Sequence, residues 1–300
     1  MDMTQNKCCR HGASLRRRRR RHRKILRFII ISCSIIAVAV FVAVGSRMIR
    51  SGDGRTNRYD VEAGNNTYDN AVIENSKISE KNKIQNEQSM LDDIMNSTQY
   101  PKQLKDLALK NEEALEFVYD YPAEHVKEHT IDLTEEASMD SVPLFVQWDK
   151  RWGYEKYSGN FFAASGCGPT TLSMVVVYLT HNRDASPIAV AKYSKEAGYS
   201  VDGSGSSWTL ISEGCRHYGV KAKTVALDES RMKAELDAGH PIVINVGPGD
   251  FTDTGHFMVI TGYDDEGFSI NDPNSIEKSG KRWLFKNISS QIRAVWSMYV

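Results

Sequence analysis

Apolar positions recur at helical spacing behind the turn Ser165-Gly166-Cys167-Gly168-Pro169, through Leu172, Val175, Val176 and Leu179. That period predicts a helix buried over much of its surface, starting at or next to Cys167. Gly166 and Gly168 are read as the sharp turn, and Pro169 as the first helical residue. Ser186-Pro187 starts a further helix that Gly198 closes, residues 208–219 continue the helical pattern, and Asp228 caps one that Gly239 stops. Short apolar runs at 220–225, 241–246, 256–263 and 268–272 predict strands. Residues 142–149 read as extended, followed by a loop to Cys167. Upstream, Leu104, Leu107 and Ala108 mark a short helix, and Ala114, Leu115, Phe117 and Val118 a second one capped by Asn111. Helices first and then an antiparallel run is an α+β pattern, not a doubly wound one.

A different pattern opens the chain. Residues 28–45 hold no charged residue, and Ile25 and Leu26 extend the apolar run backwards past Arg27. This is long enough to cross a bilayer. The eleven Lys/Arg of residues 1–27, against the single Asp2, lie on its N-terminal side, which sets that side in the cytoplasm. The expected organisation is a basic cytoplasmic tail (1–24), a single-pass transmembrane signal anchor (25–45) and a polar extracytoplasmic spacer (46–97). A helical prefix (98–140) and the main domain (141–300) follow. The rival for 25–45 is a cleaved signal peptide, with Ala43-Val44-Gly45 as the small residues before the cut; its apolar core is longer than such peptides carry.

Overall the net charge is zero, but the chain beyond residue 27 holds 27 basic residues against 37 acidic ones. An acidic main body argues against a nucleic-acid partner. No Gly-x-x-x-x-Gly-Lys-Ser/Thr loop is present, so no nucleotide partner is expected. No His/Cys pair stands at ligand spacing, and neither a metal nor another cofactor is expected. Of five cysteines, only Cys167 and Cys215 lie beyond the apolar run. Cys215, inside a helical pattern, reads as a small buried hydrophobe, with a Cys167–Cys215 disulfide as the rival in an oxidising compartment.

Cys167 differs because a thiol at a helix start meets free backbone N–H groups and the positive end of the helix dipole, which favour the thiolate. A thiolate nucleophile needs a base, and the base needs a group that orients it. His125, His129, His181, His217 and His240 read as surface or structural residues. His256 begins an otherwise apolar strand, where a polar ring is costly unless it is paired or used. The next strand ends in Asn271-Asp272-Pro273, setting an amide and a carboxylate within one hairpin of it.

The segments Val-Pro-Leu-Phe-Val-Gln-Trp-Asp (142–149), Arg-Trp-Gly (151–153), Ser-Gly-Cys-Gly-Pro-Thr (165–170), Gly-His-Phe-Met-Val-Ile-Thr-Gly-Tyr (255–263) and Asn-Asp-Pro (271–273) occur in that order. Together they resemble the papain-like cysteine peptidases related to the bacteriocin-processing, double-glycine-leader peptidases, and more narrowly their stand-alone, membrane-anchored bacterial branch. The resemblance covers roughly 140–300. It implies a papain-like fold in which a helical part carries Cys167 as nucleophile and an antiparallel sheet carries His256 as base and Asp272 as orienting residue. A glutamine is implied as oxyanion donor. The chain departs from the pattern in two ways. It carries no transport ATPase, so cleavage coupled to export does not carry over. The glutamine usually stands about six residues before the cysteine, where this chain has Phe161.

Gln147, at the end of the extended apolar segment, is assigned the oxyanion role; Asn160 is the local substitute, and an ordinary strand-edge glutamine is the rival reading. Strand register argues for Asp272 over Asn271. A two-residue loop Asp265-Glu266 would bring Asn271 to the face of His256, whereas a three-residue loop with Gly267 in the left-handed region brings Asp272. The three-residue loop is the expectation. The leading function is an extracytoplasmic, membrane-anchored cysteine peptidase acting on peptides or proteins through an acyl-enzyme. The alternatives are a non-catalytic peptide-binding domain of the same fold, or a cell-wall peptide hydrolase or transpeptidase.

Overall fold

Six strands build the central sheet: β1 (Lys221–Thr224), β2 (Ile242–Val246), β3 (His256–Asp264), β4 (Gly267–Asn271), β5 (Arg282–Trp283) and β6 (Ile292–Tyr299). They lie in the order β1-β6-β2-β3-β4-β5 with every neighbouring pair antiparallel. The computed structural model describes residues 65–300, with side chains from residue 79. The expected basic tail and transmembrane anchor lie outside the described residues. Among the described residues, no helix is long and apolar enough to cross a membrane.

Side chains alternate across a strand, so β2 and β3 feed two apolar layers. Val243, Phe257 and Val259 join one layer with Leu172, Val175 and Val176 of α4 (Cys167–Thr180); α5 (Pro187–Glu196) adds Val190 and Ala191. Ile242, Ile244, Met258 and Ile260 join the other, with Met232 of α6 (Glu229–Asp237). Burial on both faces explains why these strands read as unbroken apolar runs. Each fully buried Leu or Val contributes roughly 1.5–3 kcal/mol.

The upstream helices belong to this domain's packing. Near the end of α1 (Asn65–Asn96), Ile94 clusters with Leu104 and Leu107 of α2 (Lys102–Lys110) and with Phe117 and Val118 of α3 (Leu115–Tyr119). Phe161 and Ala163, just ahead of α4, complete the cluster. Within the expected spacer, residues 65–96 are helical, an element the sequence reading did not predict. That stretch contains no Gly or Pro to interrupt a helix. Pairs such as Gln88 with Asp92 at 2.8 Å support its polar surface.

Three further expectations change. β6, which pairs with both β1 and β2, lies beyond the last predicted strand. The loop ahead of Cys167 contains the hairpin Lys156–Tyr157/Asn160–Phe161, whose turn residues Ser158 and Gly159 have φ of 52° and 75°. Positive φ at both positions is the two-residue primed turn of tight hairpins. Residues 208–219 form a single α turn, Thr209–Ser212, and then the 3-10 segment Gly214–Tyr218.

Candidate active site

Cys167 is the first residue of α4, preceded by the short helical turn Phe162–Ser165. The glycines beside it do not supply a left-handed turn: Gly166 has φ −83°. They are required by close approach instead. A Cβ on Gly166 would lie 2.5 Å from the Phe162 ring, and one on Gly168 2.5 Å from Ser206 Oγ. Pro169 is the third helical residue, still within the first turn, where backbone N–H groups have no intrahelical partner.

His256 opens β3 and is buried. Its Nε2 lies 2.6 Å from Asp272 Oδ1, and its ring is close enough to the Cys167 side chain for each to shift the other's pKa. Asp272 is fully buried; its Oδ1 accepts a second hydrogen bond from the Asn274 N–H at 2.8 Å. The structure thus brings together Cys167, His256 and Asp272 from α4, β3 and the end of β4.

Asp272 arrives there by a route other than the expected one. The β3–β4 loop is the two-residue one: Asp264 pairs with Gly267. The register then shifts between Ile260 and Gly262, so that Val259 pairs with Asn271. One extra residue in β3, at Thr261, reverses the face on which β4 ends. The two-residue loop that would have delivered Asn271 therefore delivers Asp272. Asn271 points the other way and donates to the Val142 and Pro143 carbonyls at 3.1 and 3.0 Å.

Gln147 is buried. Its backbone N–H donates to the Pro273 carbonyl at 2.7 Å, next to Asp272, and its side-chain Nε2 donates to the Ala163 carbonyl at 2.7 Å, in the turn before α4. The amide orientation follows from that contact, since the reverse would oppose two acceptors. Gln147 thereby ties the loop carrying Asp272 to the lead-in of Cys167. Asn160 sits in the hairpin, with its Oδ1 accepting the Phe161 N–H at 2.8 Å.

The electrostatics separate the two thiols. Burial pushes the Cys167 thiol up, but the His256 hydrogen bond and charge, with backbone N–H groups of Phe257 and Gly168, outweigh it and leave its pKa below the usual thiol value. For His256, burial disfavours the charged ring, and the Asp272 carboxylate and the Cys167 sulfur together raise it to about 10. Both shifts favour the thiolate and imidazolium forms of the pair. Cys215 has apolar surroundings, and burial raises it to about 11. Both cysteines are free thiols. The remaining described histidines make local contacts, as His181 does with the Ala137 carbonyl at 2.7 Å and His217 by stacking on Tyr193.

Among solved structures, the peptidase domain of Streptococcus ComA, a bi-functional ABC transporter involved in a quorum sensing pathway, is 18% identical. That match covers 53% of this chain and 96% of that one with a TM-score of 0.39. A C39-like peptidase structure from Bacillus anthracis is 17% identical over 53% of this chain and 95% of that one, TM-score 0.34. No curated protein matches the chain. The model of the Peptidase_C39 like family matches residues 139–300, more than half of the sequence and the whole of the site, and the chain belongs to that family.

Proposed function

We propose that this protein is a stand-alone cysteine peptidase that cuts peptide bonds through Cys167, His256 and Asp272. The observation that carries the reading is the contact of one buried imidazole with both the Cys167 sulfur and, at 2.6 Å, Asp272 Oδ1. Such an arrangement positions a nucleophile, a base and an orienting acid.

In this reading the Cys167 thiolate attacks the carbonyl carbon of the scissile amide, and the carbonyl π electrons move to oxygen. The Cys167 backbone N–H, at the start of α4, and the second Nε2 hydrogen of Gln147 donate to that oxygen. The tetrahedral species collapses as the C–N bond breaks and His256 delivers its proton to the leaving amine. His256, now neutral, takes a proton from water as that water attacks the thioester. Collapse expels the Cys167 thiolate and releases the carboxylic acid product, which loses its proton to solvent, while the proton taken from water stays on His256. Asp272 keeps Nε2 as the donor throughout, which leaves Nδ1 to face sulfur and substrate.

The apolar segment 25–45 and the basic residues before it support anchoring in the membrane with the peptidase domain outside the cytoplasm. The test is hydrolysis of a peptide library by the full chain, with Cys167→Ala as control. Turnover in the wild type, lost by a factor on the order of 10⁴ or more in the variant, is the expected result. Turnover that survives Cys167→Ala, or an alkylated Cys167 with no hydrolysis of any library member by the unmodified protein, overturns it. Protease access to the domain in intact cells checks the topology.

A further inference from the structure

The loop that carries Asp272 is held from a part of the chain that lies ahead of the residues matched by the family. It runs from Asp272 into the four-residue helix α7 (Ile276–Ser279). Ser275 Oγ and the backbone N–H groups of Ile276 and Glu277, at 2.7 and 3.1 Å, all donate to the Glu113 carboxylate. Asn111 adds a second strap, as its Nδ2 donates to the Asn274 carbonyl at 2.9 Å. The same Asn111 accepts the Glu113 N–H through its Oδ1 at 3.1 Å, which fixes the carboxylate that does the holding. The path continues inward, because Asn274 N–H donates to the Oδ1 of Asp272 that contacts His256. Ser279 closes it from the other side by accepting the Asp272 N–H at 2.9 Å.

We infer that Glu113 is a positioning residue for the active site: with Asn111, it clamps the Asp272 loop and so sets the acid that orients His256. The physical reason is that a loop between β4 and β5 has no ladder of its own to fix it. A carboxylate accepting three donors from one turn supplies charge-assisted bonds, stronger than neutral ones. The other side of the same segment packs on Phe161 and Ala163, and the Ala163 carbonyl orients Gln147. One brace thus sets both the acid loop and the lead-in to the nucleophile. The inference rests on the Cys167–His256–Asp272 reading, and its test separates the two.

The test compares the full chain with Glu113→Ala, Glu113→Gln and Asn111→Ala, and with Asp272→Ala as reference. The readouts are the pH profile of Cys167 alkylation by iodoacetamide and amide exchange of residues 272–279. Glu113→Ala should speed exchange across that loop, lower alkylation near neutral pH roughly 10- to 100-fold and move its inflection to higher pH. Glu113→Gln, which keeps an oxygen for the Ile276 and Glu277 N–H groups, should restore most of both. If Glu113→Ala does not fold, Asn111→Ala should give the same changes in smaller measure. Faster exchange or a lower melting temperature with an unmoved alkylation profile would make Glu113 merely structural and overturn the inference. So would unchanged exchange. If Asp272→Ala itself leaves the profile unmoved while Glu113→Ala moves it, the triad reading falls and the clamp on Cys167 reactivity stands.

Discussion

Cys167 opens a fourteen-residue helix, and its sulfur meets the His256 ring and the N–H groups of Phe257 and Gly168. Cys215 lies in a 3-10 turn, fully buried in the same apolar layer as Leu210 and Val220. Both are free thiols in one domain, and burial raises the pKa of each. At Cys167 a cation and oriented dipoles overcome that penalty; at Cys215 burial dominates. Burial alone therefore says nothing about reactivity. What decides it is whether charge-stabilising donors converge on the sulfur, and that in turn depends on where the thiol sits along its helix.

The largest expected effect is the difference in labelling rate. With Cys215 at about 11, only about one in 10⁴ of its thiols ionises near pH 7, so alkylation followed by peptide mapping should label Cys167 at least about 10²–10³-fold faster. Comparable labelling of the two would end the contrast. Next in size, Gln147→Ala removes a donor proposed for the oxyanion but not for the thiolate. Turnover should fall on the order of 10²–10³ while Cys167 keeps its labelling advantage. A parallel loss of labelling would mean that Gln147 acts by holding the Ala163 turn instead.

The smallest effect is on stability against pH. His256 is raised from 6.5 to about 10, so its charged form stabilises the fold fully below pH 6.5, and that contribution disappears as pH rises through 10. Cys167 is lowered, so its thiolate contributes above the ordinary thiol value and is lost as pH falls through its folded value. The melting temperature of wild type should exceed that of Asp272→Asn most at pH 6.5 and by a shrinking margin towards pH 10. A margin that does not change between those limits would separate His256 from Asp272 energetically.

The contrast of the two cysteines was legible in part: Gly-Cys-Gly-Pro marks a helix start at Cys167, whereas Cys215 is the buried thiol expected but lies in a 3-10 turn and not in a helix interior. Three features were not. The Thr261 bulge lies in an apolar strand whose alternation looks the same with or without it, yet it decides whether Asn271 or Asp272 turns towards His256. β6 contains β-formers in Ile292, Val295, Trp296 and Tyr299, a signal that could have been read, but its place between β1 and β2 depends on pairing partners far away in the chain. α1 reads as a polar spacer because its sequence is polar, and among its described side chains only Ile94, near its end, is buried.

What the sequence determined by itself is what local physics controls. The period of Leu172, Val175 and Val176 makes a buried helix, and the apolar runs make the strands. It also delivers the residue types that a thiol site needs, in an order that matches the family. What only the tertiary structure decided is everything that depends on contacts between distant residues. These are the bulge-set register that turns Asp272 to His256, the anchoring of Gln147 on Ala163, and the reach of Glu113 and Asn111 across the chain to the Asp272 loop. The reason is that a side chain's chemistry is a local property, whereas its direction and its partners are set only when separate elements pack. A shift of a single residue in one strand exchanges one face for the other.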